Sequence, residues 1–234
     1  MIFSSTKCTR RESEVKMTYE IFRESLKKLI GHFTTPEFID ELNDAKAEFF
    51  GNTGTLDENL PNYNLRMHQF YEWYFLTRPL KSYMKPPLLV CEQQRGLRLN
   101  SEDQQVIQIL QNKQQHRLFE YIKSKKDLIL VRDLLSNEKK EIQDSQFVFG
   151  FDSKEYFQAR IVEIDKKFYF LNSFCFHPES SQKFIQSEVK KIQENSDLSL
   201  DDLLMRLNKM RYKFEQYKHV RPENIYTNEN KLGL

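Results

Sequence analysis

Apolar residues recur at helical spacing through the first half of the chain, then alternate with polar ones through the middle. Ahead of about Phe33 the apolar positions are Ile21, Phe22, Leu26, Leu29 and Ile30, and Thr18 is placed to cap that helix. Thr35-Pro36 restarts the pattern, threonine as cap and proline in the first turn. The restarted helix carries Phe38, Ile39, Leu42, Ala45, Phe49 and Phe50 and is acidic at Glu37, Asp40, Glu41, Asp44 and Glu48. Residues 51–61 read as a loop. A third helix, about Leu65 to Leu76, is crowded with aromatics and ends at Arg78-Pro79, because the residue before a proline is steered away from helical geometry. Pro86-Pro87 opens a fourth helix, closed near Gly96, and Ser101 caps a fifth that runs to about Lys113.

From His116 the period changes to two. β-rich runs cover Arg117–Lys123, Asp127–Leu135, Lys140–Asp144, Tyr156–Ile164 and Lys167–Phe174. Short polar breaks such as Lys125-Lys126 and Asp165-Lys166 are of hairpin length. Pro178 returns the chain to helix, one from about Glu179 to Glu194 and a second beginning with the capping box Ser199-x-x-Asp202. Helices, then strands, then helices predict an α+β protein: N-terminal helices, a central antiparallel β-meander of about five strands that can curl into a half-barrel, and two C-terminal helices. The expected boundaries are a flexible N-terminal tail at 1–16, a helical region at 17–114, the meander at 115–177, C-terminal helices packing on the same core at 178–221, and a tail at 222–234. Residues 1–16 are polar, basic and unpatterned, and Met17 directly precedes the first periodic segment, so either Met1 or Met17 fits as the start.

Composition narrows the chemistry. Six glycines in 234 residues, with only Gly51 and Gly54 close together, argue against a loop that lets backbone approach a phosphate. Lysine plus arginine total 36 against 34 acidic residues, a net charge of +2, so bulk charge selects no polyanionic partner. No apolar run is long enough to span a bilayer, and the basic residues of the first segment follow rather than precede its short apolar stretch, so the expectation is a cytoplasmic protein without a membrane partner. Cys8, Cys91 and Cys175 form no CxxC pair, and no metal-ligand spacing occurs, so neither a metal nor a cofactor is expected.

Four places carry candidate chemistry. Glu72 lies among Phe70, Tyr71, Trp73, Tyr74 and Phe75 and needs a partner if buried; Arg78 or Arg132 could serve. A carboxylate in such a setting is either half of a structural ion pair or a base of raised pKa. Arg132-Asp133 ends the most apolar strand, where an Asp commonly accepts from the amides of the following turn. Cys175-x-His177 places thiol and imidazole on one face of an extended segment, which is too open for a routine nucleophile–base pair. The last helix carries Arg206, Lys209, Arg211, Lys213, Lys218 and Arg221 against Glu215, and Lys123, Lys125 and Lys126 form a second basic cluster; together these could neutralise phosphates.

Three stretches, Phe70-Tyr71-Glu72-Trp73-Tyr74-Phe75 with Arg78-Pro79-Leu80, Leu118-Phe119-Glu120-Tyr121 through Arg132-Asp133-Leu134-Leu135, and Ala159-Arg160-Ile161-Val162 leading to Phe176-His177-Pro178, follow one another in a suggestive order. The order resembles a loosely defined set of uncharacterised bacterial proteins, in which an aromatic helix of the EWxF type precedes a β-meander with an Arg-Asp-Leu-Leu strand end. The resemblance spans about 65–190, implies the fold order and transfers no activity or catalytic residues. The sequence therefore supports first a non-enzymatic binding or regulatory module with a protein partner. The alternatives are a nucleic-acid-associated protein using its basic C-terminal helix, and an enzyme with a Glu72/Arg78/Arg132 pocket.

Overall fold

The computed structural model describes residues 16–59, 61–143 and 154–229. The expected tail at 1–16 therefore lies outside the described residues except for Lys16. Helix α1 (Tyr19–His32) starts where Thr18 Oγ1 accepts from the Ile21 amide. A 3-10 turn at Pro36–Phe38 leads into α2 (Ile39–Thr53), and α3 (Tyr63–Leu76) follows. The fourth helix, α4 (Pro87–Val90), is much shorter than the sequence suggests. Helix α5 (Ser101–Lys113) is capped one residue earlier than expected: Asn100 and Asp103 form a reciprocal capping box.

Among the described residues there are five strands: β1 (Gln114–Lys125), β2 (Leu128–Asp133), β3 (Lys139–Gln143), β4 (Tyr156–Ile164) and β5 (Lys167–His177). Helices α6 (Gln182–Glu194), α7 (Leu200–Gln216) and α8 (Pro222–Ile225) complete the chain. The α+β class and the flanking of the strands by helices are as the sequence predicts. The connectivity is not a simple antiparallel meander. The strands close into a barrel in the order β1-β2-β3-β5-β4, with β4 returning antiparallel to β1 and β3 lying parallel to β5. β4 pairs with β1 and β5 rather than with β3, the strand before it in sequence. Closure removes both sheet edges, which explains why so small a sheet is stable.

The barrel interior is aromatic. Phe119, Phe157, Phe170 and Phe174 are fully buried together with Ile129, Val131 and Ile142. Phe170 meets Phe119, Phe157 and Phe174 edge to face, Phe174 at 5.1 Å and 65°, the geometry favoured by the ring quadrupole. Two further apolar clusters lie on the outside of the barrel. One joins α1, α2, α3 and α5 to Val162, Ile164 and Leu171. The other joins α6, α7 and α8 to Leu118 and Tyr156. Residues 222–229 are not a tail: Ile225 and Tyr226 are buried in that second cluster. Two apolar residues in a polar run set no period, yet they bury.

Few glycines force other residues into left-handed turns. Lys126, Asn137, Asp165 and Lys166 all have positive φ. Gly54 is the opposite case: at φ 102° it ends α2, and a Cβ there would lie 1.8 Å from the ring of Tyr212 on α7. The same physics predicts opposite signs. Lys166→Gly is expected to stabilise by about 0.5–1 kcal/mol by relieving the turn. Gly54→Ala is expected to destabilise, by about 2 kcal/mol or more, through overlap and backbone strain. Thermal melting of both variants checks the pair.

Candidate functional site

Glu72 lies on α3 and faces β5. Between its pairings of Ala159 with Phe174 and Ile161 with Phe170, the β4–β5 ladder shifts register, so Leu171, Asn172 and Ser173 lie opposite Arg160 alone. That bulge frees the amides of Asn172 and Ser173 from β4. Glu72 Oε1 accepts both, at 2.6 and 3.0 Å, and Oε2 accepts from the Ser173 hydroxyl. Arg160 Nε stands 3.9 Å from Oε2. The same guanidinium donates to Gln114 Oε1 at 3.1 Å and Thr77 Oγ1 at 2.7 Å, so all sides of a buried charge are met. Burial pushes the Glu72 carboxyl up, opposed by the Ser173 hydroxyl, Arg160 and the two amides; burial likewise pulls Arg160 down.

The partner that the sequence suggests for Glu72 is therefore replaced. Arg78 is buried against Glu41 and Glu48 of α2, at 2.9 and 2.8 Å. Arg132 lies on the barrel, 3.6 Å from Glu120. The three groups of the expected pocket thus do not converge. Asp133 Oδ1 accepts from the amides of Leu135 and Ser136, so its carboxylate serves the turn. The acidic α2 is engaged by Arg78 and also by Lys81. On α7, Arg206 pairs with Glu188 and Arg211 with Glu215 at 3.1 Å, while Lys209 forms no ion pair among the described residues; Lys218 and Arg221, expected on the same helix, lie beyond its end at Gln216 and form none either.

A polar seam continues from Arg160 between the two helical layers. Gln158 donates to His177 Nε2 at 3.1 Å, and His177 Nδ1 lies 3.0 Å from the Tyr226 hydroxyl, so the ring is held neutral between two polar partners. Burial pulls the His177 pKa to about 3, with Arg211 adding in the same direction. Burial, Arg160 and Arg117 hold His116 well below the usual histidine range. Cys175 is buried and its thiol is pushed up to about 12, which leaves it without thiolate character near neutrality. Gln158, Cys175, His116 and Arg160 line a cavity of about 50 Å³, which admits only water-sized groups. Gln158 Oε1 and Asn208 Oδ1 have no hydrogen-bond partner there.

The barrel presents a larger opening elsewhere. Gln143, the last residue of β3, pairs with Leu128 of β2 on one side and Tyr169 of β5 on the other. The β1–β2 turn and the β4–β5 turn consequently flank the same barrel end. Asp127, Gln143, Asp165, Lys167 and Tyr169 line a cleft of about 460 Å³ there, together with residues 16–20. Lys125, Lys126, Lys166 and Lys167 are all exposed on the two turns. Tyr169 stacks on Tyr19 at 4.5 Å and 12°, so an aromatic pair stands at the cleft. Helices cover β1, β4 and β5 while making few contacts with β2 and β3. Lys125 and Lys126 are legible in the sequence as a basic turn; Lys166, Lys167 and Tyr169 are not, because only barrel closure brings the second turn alongside the first.

Fold and site together define an α+β protein built on a closed five-stranded barrel, with helices packed on three strands and a cleft between two lysine-bearing turns at one barrel end. The chain belongs to the family of unknown function DUF7986, whose model matches residues 85–210, just over half of its length. The match takes in the whole barrel and most of α7, and starts beyond the aromatic helix. The EWxF-type segment and Glu72 thus fall outside it, whereas Arg160 and Ser173 fall inside. No curated protein and no solved structure matches the chain. No helix among the described residues is long and apolar enough to cross a membrane.

Two expectations follow. Glu72→Leu is expected to cost about 3–5 kcal/mol by leaving Arg160 buried without a countercharge, and Glu72→Leu/Arg160→Met to cost less than Glu72→Leu alone; denaturant unfolding measures both. His177 gives the pH dependence. Its folded pKa of about 3 is below the unfolded value of about 6.5, so below 6.5 the unfolded chain takes up a proton that the folded chain refuses. Stability is fully present above pH 6.5 and is lost as pH falls toward 3. His177→Gln is expected to flatten the fall in melting temperature between pH 6.5 and 4.

Proposed function

We propose that this chain is a binding module whose barrel-end cleft engages single-stranded nucleic acid. The observation that carries the reading is the convergence of the β1–β2 and β4–β5 turns on one cleft, in a barrel of strand order β1-β2-β3-β5-β4. That order and the parallel β3–β5 pair are those of the oligonucleotide/oligosaccharide-binding barrel, which takes ligands on its β2–β3 face and between these two turns. The likeness is one of topology, so the chemistry of the cleft has to support it.

It does so in two ways. Lys125, Lys126 and Lys166 are exposed on the turns beside the cleft and Lys167 lines it; the acids of the cleft are Glu20, Asp127 and Asp165, the last already paired with Lys16 at 3.0 Å. Lysines on turns track a phosphate backbone without reading sequence. Tyr169, stacked on Tyr19, offers a base a ring to stack on, an interaction open to every base. A nucleic acid thus explains both the cations and the aromatic pair. The basic α7 supports this reading less well. It packs near Leu118, whereas the β1–β2 turn begins at Lys125; the two basic clusters are roughly 20 Å apart along β1. Arg206 and Arg211 are moreover engaged by acids.

Fluorescence anisotropy with a labelled deoxythymidine oligomer tests the proposal. Binding is expected to weaken with salt, with a log–log slope of roughly −3 if four phosphates are neutralised on a single strand. Lys125→Glu/Lys126→Glu/Lys166→Glu/Lys167→Glu is expected to abolish binding, and Lys209→Glu/Lys218→Glu to leave it intact. Loss of binding only in the Lys209→Glu/Lys218→Glu variant would move the interface to α7 and the segment after it. No binding at low salt would end the nucleic-acid reading.

A further inference from the structure

Among the described residues, five buried side-chain polar atoms lack a hydrogen-bond partner, and four of them belong to one region. These are Asn62 Oδ1, Arg66 Nε, Gln158 Oε1 and Asn208 Oδ1. Gln158 and Asn208 line the cavity of the polar seam. Asn62, Arg66 and Asn208 line a second cavity, also of about 50 Å³. The two adjoin, since Gln69, Phe174, Cys175 and Asn208 are walls of both. Asn208 of α7 thus stands between the start of α3, which supplies Asn62 and Arg66, and β4, which supplies Gln158.

Turning the side chains does not satisfy the second cavity. Asn62 Nδ2 donates to the Glu215 carboxylate, which only accepts, so the Asn62 oxygen is the atom left over. A guanidinium only donates. Arg66 is buried, spends Nη2 on Thr53 Oγ1 and the Gly54 carbonyl, and forms no ion pair among the described residues. Asn62 and Arg66 are four residues apart, so this acceptor and this donor share a face of α3. The chemistry that can answer these groups is narrow. A cation would meet Arg66, Arg160 and Arg211. An anion would meet three amide oxygens and the carboxylates of Asp201 and Glu215. An apolar guest would answer none of them. Each space exceeds the roughly 10–15 Å³ that one water needs and falls far short of the roughly 300 Å³ of small-molecule sites. We infer that each cavity binds an internal water molecule. One donates to Gln158 Oε1 and Asn208 Oδ1 and so ties α7 to β4. The other accepts from Arg66 Nε and donates to Asn62 Oδ1, completing the hydrogen bonds of a buried arginine. Both lie apart from the barrel-end cleft, so the assignment is independent of nucleic-acid binding.

NMR of the isotope-labelled full chain tests the site. In rotating-frame spectra the Arg66 Nε–H proton is expected to show a direct dipolar peak to water, opposite in sign to a proton-exchange peak. Asn208→Leu fills the space that both cavities share. With water bound there, leucine expels it and leaves Gln158 Oε1 and Arg66 Nε unanswered, so the melting temperature is expected to fall and the Arg66 water peak to vanish. Asn208→Ser keeps room for water, and the Arg66 water peak is expected to survive. In dry cavities Asn208→Leu would instead remove an unpaired oxygen and fill space, and the melting temperature would rise. That rise, or a folded unmodified chain with no dipolar water peak at Arg66, would overturn the assignment. The Arg66 measurement on the unmodified chain decides the matter even where Asn208→Leu does not fold.

Discussion

A single buried carboxylate ties the helical half of this protein to its barrel. Glu72 leaves α3 and captures the two amides that the β5 bulge withdraws from the β4 ladder. Without it, two backbone N–H groups in the barrel wall would be buried and unsatisfied, at a cost of about 1–3 kcal/mol each. Without Arg160, a carboxylate in an apolar helix would stand uncompensated. Each member of the set makes the others tolerable, so the bulge, the helix and the arginine have to form together. An apolar pair in place of Glu72 and Arg160 would remove the buried charges but leave the two bulge amides without their acceptor.

That docking decides which surfaces remain available. Helices α1, α3 and α5 occupy the outer faces of β4 and β5, and α7 reaches β1 and β5. The β2–β3 side and the end of β3 are thereby left for other uses. Where the two helical layers meet, Gln158, Arg160 and His177 are buried and hydrogen-bonded, and the cavity beside them is water-sized. Three larger concavities lie outside that seam: the cleft between the two turns, the groove between α1 and α3, and a hollow of about 690 Å³ by Phe184 and Tyr226. The cleft and the α1–α3 groove each mix lysine or arginine and tyrosine with acids, as the nearly neutral chain does overall. Neutrality of the total conceals acids spent inside the fold: Glu41 and Glu48 on Arg78, Glu188 on Arg206, Asp103 on Lys28.

Local features of this fold are legible in the sequence because their causes are local. The Thr18 cap, the proline starts and the period of two after His116 each rest on neighbours a few residues apart. The turns at Lys126 and Asp165-Lys166 follow from a glycine-poor chain that must still reverse direction. Closure of the barrel has no such local signature, since the β1–β4 and β3–β5 pairs join distant residues. The site is legible only in part for the same reason. Glu72 is conspicuous as a charge in an aromatic helix, but its true partners depend on the bulge register of β5. Arg160 is an arginine inside an apolar strand and could have been flagged on that ground alone. Tyr226 gives no warning, because one buried hydroxyl near a polar chain end forms no pattern.

Amide hydrogen exchange at Asn172 and Ser173, followed by NMR, tests most directly whether the Glu72 clamp holds helices and barrel together. Both amides are expected to exchange as slowly as those of the barrel interior, through global unfolding, and to become selectively faster in Glu72→Gln. Exchange of these two amides at the rate of the exposed turns in the unmodified protein would contradict the account.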